Sequence, residues 1–181
     1  AFALSLLGMS FSKYFILPAY FSAILQVLGL FFFLLSLPRR TAGLLKHKSG
    51  WLRLYLFVFF ISFFLKNILQ SLSVFPVFQP YAFNNKLIIL AYLHLTLIGA
   101  LSFLLLALMI DMKWLLVKLF TKAGSFLLLL GFASTEFILM SGGLGLWYNQ
   151  QILLAGSVLM ALGILLLIIP NNKTETRHNP L

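Results

Sequence analysis

The stretch LIILAYLHLTLIGALSFLLLALMI, Leu87–Ile110, decides the fold. It carries no acid, lysine or arginine, and a helix needs about 20 mostly apolar residues to cross a bilayer. Four more runs of this kind flank it: Phe15–Leu37, Trp51–Phe75, Ala123–Gly143 and Ile152–Pro170. Their apolar residues do not alternate with polar ones, as lumen-lining barrel strands would require. Without water to satisfy the backbone, a helix is the remaining way across. The expected fold class is therefore all-α: a polytopic transmembrane bundle of five full helices.

Composition agrees. The chain has 181 residues, of which 62% are hydrophobic and 9% charged, and a mean hydropathy of +1.06. An ordinary soluble domain is roughly 45–50% apolar and about 25% charged. The opening AFALSLLGMS lacks the basic start of a signal peptide. It reads as a partial helix over residues 1–9, so the chain is expected to be part of a longer polytopic protein. Residues 1–170 form the expected membrane domain and 171–181 a polar tail.

The net charge of +10 sits mostly in the short gaps between apolar runs, which points to membrane topology and away from nucleic acid. Arg39, Arg40, Lys46, Lys48 and Arg53 fall in one gap, Lys113, Lys118 and Lys122 in a second, and Lys173 and Arg177 in the tail. The opposite loops hold Lys13 and Lys86. Basic residues favour the cytoplasmic side, so segments 38–50 and 113–122 and the C-terminus are expected there. A bacterial inner membrane is the expected location. The lipid bilayer is the first partner, with other membrane subunits or a missing N-terminal region as further ones. Segment 76–86, with two prolines and two asparagines, predicts an outer turn. Trp51, Trp114, Trp147 and Tyr148 stand at span ends, as interfacial aromatics do.

Three ionisable groups lie inside the spans: Lys66, His94 and Glu136. At 1.5 Å rise per residue they fall roughly 9–14 Å below the outer boundary, on three helices of alternating direction. An ionised group at that depth costs about 2.5–3.5 kcal/mol on insertion scales, so such groups are seldom left to lipid. Ser62, Lys66, Gln70 and Ser73 recur at i, i+4, i+8 and i+11, one helical face. Ser134 and Thr135 precede Glu136, and Ser22 and Gln26 form a further polar pair. The expected buried polar layer is Lys66, Glu136 and Gln70, with Lys66 paired to Glu136. It serves either as a proton path or ligand pocket, or as an ion pair that fixes helix packing. Asp111 and Lys113, at the cytoplasmic boundary, are expected to be solvated.

His94 has two readings as well. A neutral imidazole binds haem iron or another metal, and it also hydrogen-bonds between membrane helices. Ala91 and Gly99 beside it would admit a flat cofactor or a neighbouring helix equally.

The segment YLHLTLIGALSFLLLALM, Tyr92–Met109, resembles a helix of the NnrS family, haem- and copper-containing membrane proteins linked to nitric oxide stress. It is also similar to the histidine-bearing helices of haem–copper oxidase subunit I. The matching positions are His94, Gly99 and Ala100. The resemblance implies haem as cofactor and His94 as its ligand. It covers about a tenth of the chain. Tyr92 stands where the oxidases carry the first histidine of His-x-His. His47 and His178 fall in a cytoplasmic loop and the tail, so any further ligands must come from an N-terminal part.

Other chemistry has no signature. No cysteine is present, which removes disulfides and thiolate metal sites. There is no P-loop, dinucleotide glycine pattern, HExxH or GxSxG, no catalytic set is assigned, and three acidic residues predict no carboxylate metal site. Three classes of function remain open: a haem- or redox-associated membrane protein, a transporter or channel, and a non-catalytic assembly subunit.

Overall fold

The computed structural model describes residues 16–46, 48–75, 77–79 and 85–169. They form α1 (Ile16–Lys46), α2 (Gly50–Leu72), α3 (Lys86–Asp111), α4 (Leu119–Gly143) and α5 (Gln150–Ile168), and no strand occurs among them. The expectations placed on residues 1–9, Lys13, His47, 80–84 and the tail 171–181 lie outside the described residues. The helices α2 to α5 are each long and apolar enough to cross a membrane. In α1 the apolar stretch is the shorter Tyr20–Phe33, below that length, where a fifth full span was expected, and the helix continues past Leu37 through Pro38 to Lys46. The fold is an all-α bundle, compatible with an integral membrane protein.

Polar residues set the helix starts. Ser49 Oγ accepts from Leu52 N at 3.2 Å and opens α2. Asn149 Oδ1 accepts from Gln151 N at 2.9 Å and opens α5. Each satisfies an N–H that the first helical turn leaves free. Asn85 serves two helices: its Oδ1 accepts from Leu87 N at 3.0 Å and its Nδ2 donates to Gly143 O at 2.6 Å. It thereby pins the start of α3 to the end of α4.

Two helices end in the same turn with different residues. After α4, Leu146 N bonds Ser141 O at 3.0 Å and Gly145 N bonds Gly142 O at 3.1 Å, with Gly145 at φ 74°. After α3, Trp114 N bonds Met109 O at 2.9 Å and Lys113 N bonds Ile110 O at 3.1 Å, with Lys113 at φ 61°. Both are Schellman turns, whose left-handed residue is usually glycine. Lys113 holds that position at a cost of about 1–2 kcal/mol, because its Cβ crowds the following carbonyl.

Each helix packs chiefly on its neighbours in the chain: α1 on α2, α2 on α3, α3 on α4, and α4 most extensively on α5. The buried centre is Tyr55, Leu95, Phe103, Ala107, Leu128, Phe132 and Met160. Phe103 stands between Tyr55 and Phe132, with ring centroids 5.7 and 5.4 Å away. The Tyr55 hydroxyl is hydrogen-bonded to Ser125 Oγ, so the aromatic core carries no orphaned phenol there.

The α4–α5 seam rests on glycine. A Cβ on Gly124 would lie 2.7 Å from Gly163 O, and one on Gly131 would lie 2.6 Å from Gly156 O. The pairs 124/163 and 131/156 are seven residues apart on each helix, so they recur on one antiparallel face. Hydrocarbon does not drive apolar helices together, so this backbone contact supplies dispersion that side chains would prevent. Gly131→Ala should therefore cost about 1–3 kcal/mol through overpacking. Gly29→Ala, where no atom lies within 4 Å of the added methyl, should stay within about 1 kcal/mol of the parent. Thermal unfolding in one detergent, read by circular dichroism, separates the two; equal effects would mean the seam is not close-packed.

Candidate functional site

The site grows from a change of winding inside α3. Residues Lys86–His94 are α-helical, Leu95–Ser102 form a π-helix, and Phe103–Asp111 return to α. Eight residues of π-helix is long, since such segments are mostly single turns and mark places where a helix departs from regular packing. Gly99 shows what forces the departure. A Cβ there would stand 2.5 Å from Ser62 Oγ of α2 and 2.7 Å from Phe132 Cζ of α4. The backbone of α3 is thus wedged between α2 and α4, and the wider winding lets Leu95, Gly99 and Ala100 all turn inward.

His94 is the last α residue before that wedge, and it meets α4. Its Nδ1 lies 3.9 Å from Glu136 Oε1. The two side chains are 26% and 14% exposed. The two facing atoms are themselves buried, and neither has a hydrogen-bond partner among the described residues. At 3.9 Å they are about 1 Å beyond hydrogen-bond contact. Asn85 and Gly143, tied at one end of these helices, set the register that brings the two groups level. His94 Nε2 makes no hydrogen bond among the described residues.

Glu136 also lines a shallow groove of about 290 Å³ between α2 and α4, with Ser62, Leu65, Leu95 and Met140. The remaining lining is aliphatic or aromatic, so Ser62 Oγ and the Glu136 carboxyl are the groove's side-chain polar groups.

Lys66 does not meet Glu136, contrary to the pairing expected from sequence. Among the described residues it forms neither an ion pair nor a hydrogen bond, and its side chain is half-buried. Its long stem can carry the ammonium toward a polar boundary, whereas the short His94 side chain is held where its backbone puts it. Asp111 is exposed, as expected, and is also paired with Lys48, which joins the start of α2 to the end of α3.

Gln70 is fully buried but belongs to a separate cluster. Gln26 Nε2 of α1 donates to Asn67 Oδ1 at 2.5 Å and to Gln70 Oε1 at 3.1 Å. The Tyr92 hydroxyl of α3 donates to Gln70 Oε1 at 3.4 Å, and Gln70 Nε2 is buried without a partner. Tyr92 and His94 stand about 200° apart around α3. The polar groups expected as one layer are therefore divided by α3: an amide–phenol cluster toward α1 and α2, and an imidazole–carboxyl pair toward α4. Asn67 was not singled out from sequence. Its spacing of three from Gln70 and its place beside Lys66 were the available signal.

No group of three or more histidine, cysteine, aspartate or glutamate side chains able to hold a metal occurs among the described residues. His94 lines neither the groove above nor a larger cleft between α3 and α5. The described residues thus offer His94 as the candidate haem ligand, set apart from both of these cavities. No family model matches the chain, and no curated protein or solved structure is significantly similar to it.

Removing either partner of a pair in contact couples the two changes, whereas groups without shared contacts act independently. A stability cycle of His94→Ala with Glu136→Gln should give a coupling of about 0.5–3 kcal/mol. The cycle of Lys66→Met with Glu136→Gln should close to within about 0.5 kcal/mol. A larger coupling for lysine than for histidine would reverse the assignment of the pair.

Proposed function

We propose that this integral membrane protein binds and releases a proton at the His94–Glu136 pair, as part of a transport path or channel, with its lysine-rich end in the cytoplasm. One observation carries this: two buried, unpartnered atoms of complementary chemistry face each other at 3.9 Å. Each orphaned atom costs about 1–3 kcal/mol of unrecovered desolvation. A single proton relieves both after a small side-chain rotation. On Nδ1 it is donated to the carboxylate; on Oε1 it is donated to the imidazole. Both forms are neutral as a pair, which suits low-dielectric surroundings better than a lone charge. The protons of such a pair belong to the two groups jointly.

The resemblance to the NnrS family supplies a second reading, in which His94 is an iron ligand. Metal-ligating histidines commonly donate one ring N–H to a carboxylate, and the Glu136 carboxyl lies 3.9 Å from His94 Nδ1. Haem would supply redox or ligand-binding chemistry. His94 lines neither the groove nor the α3–α5 cleft, and no step is assigned through the haem. Its marker is haem absorbance in the purified protein that disappears in His94→Ala.

Proteoliposomes loaded with a pH-sensitive dye test the proton reading. An imposed potassium diffusion potential should drive acidification or alkalinisation of the lumen in the parent, and Glu136→Gln should reduce the rate at least tenfold. In the parent, infrared difference spectra between two pH values should contain a carboxyl band that Glu136→Gln removes and His94→Gln shifts. Unchanged flux together with an unchanged band would end this proposal.

A further inference from the structure

A second cavity among the described residues plays no part in the site above. It is an apolar cleft of about 790 Å³ between α3 and α5. Both helices pack on α4, and the space between them is left unfilled. Leu128 of α4 lies on its floor, Met109 on one wall, and Ser157, Ala161 and Ile164 on the other. The cleft ends at the lysine-rich end of the bundle, where Trp114 of the α3–α4 connection stands at its mouth.

From this geometry we propose that the cleft seats an anionic membrane phospholipid, with an acyl chain between α3 and α5 and its phosphate at Lys113. The walls accept only hydrocarbon over most of their length. The mouth is where the chemistry changes. Lys113 precedes the cleft-lining Trp114 directly, and it occupies the left-handed position of a Schellman turn that favours glycine. The turn itself builds the mouth, because its bond from Trp114 N to Met109 O ties together two residues that both line the cleft. The nearest acid in sequence, Asp111, is engaged by Lys48. The Lys113 side chain makes no ion pair or hydrogen bond among the described residues. An ammonium in water at the hydrocarbon boundary attracts an anionic head group. Trp114 is 72% exposed there, as an indole that bridges acyl chain and head group would be.

Choice between lipids rests on the cation, since any phospholipid offers acyl chains. Brominated lipids that quench tryptophan report occupancy directly. The full chain with Trp51→Phe and Trp147→Phe leaves Trp114 as its tryptophan, and it is reconstituted with trace brominated phosphatidylglycerol or brominated phosphatidylcholine in unbrominated phosphatidylcholine. Phosphatidylglycerol should compete for the site with about five-fold preference, the size one basic side chain supplies near an anionic surface. Lys113→Gly, which suits the turn better than lysine and so keeps the fold, should remove that preference while leaving quenching by both lipids. Ala161→Phe should reduce quenching by both. Equal quenching by the two lipids in the parent, or a preference that survives Lys113→Gly, would overturn the assignment.

Discussion

In hydrocarbon a helix satisfies its own backbone, but nothing apolar about its surface draws it to another helix. Association then depends on how closely backbones approach and on polar groups that find each other. The α4–α5 seam is the clearest case. Four glycines at matching heptad positions bring carbonyls of one helix to within van der Waals reach of the other. The rest of the bundle is referenced to α4, because α3 is tied to its end through Asn85 and packs against its face at Phe132.

Close approach at one place creates demands at another. Gly99 lets α3 press between Ser62 and Phe132, and the helix accommodates this by widening its winding over Leu95–Ser102. That change begins at His94, so the orientation of the imidazole and the deformation of the helix have one origin. Tyr92 and His94 both precede it, and about 200° of regular α winding between them presents the two to different neighbours. The amide cluster of Gln26, Asn67 and Gln70 satisfies most of its atoms. The His94–Glu136 pair does not, and an unsatisfied pair that is held in register is where a proton or ligand gains most.

The two Schellman turns make a related point about local sequence. Gly145 is the residue such a turn favours, whereas Lys113 pays in backbone strain for a side chain that glycine lacks. Strain kept at a surface turn is a reason to look for what the side chain does there. The open cleft beside it, with Trp114 at its mouth, is the structural context that gives Lys113 a role.

The amino-acid sequence by itself determined the class of fold and predicted similar depths for the ionisable groups. Apolar runs long enough to span a bilayer leave helices as the outcome, and residue counts from span ends place Lys66, His94 and Glu136 at similar heights. It did not determine direction around each helix axis in the bundle. Two groups at one height can face each other or face apart, and a π-helical segment shifts every later residue relative to regular winding. Hence the exchange of Lys66 for His94 as the partner of Glu136, and the division of the polar layer by α3. The glycine spacing in α4 and α5 was visible in the sequence, yet its pairing became legible only with the antiparallel register. The cleft likewise exists only because α3 and α5 diverge over a shared neighbour, a relation among three helices that no single stretch of chain encodes.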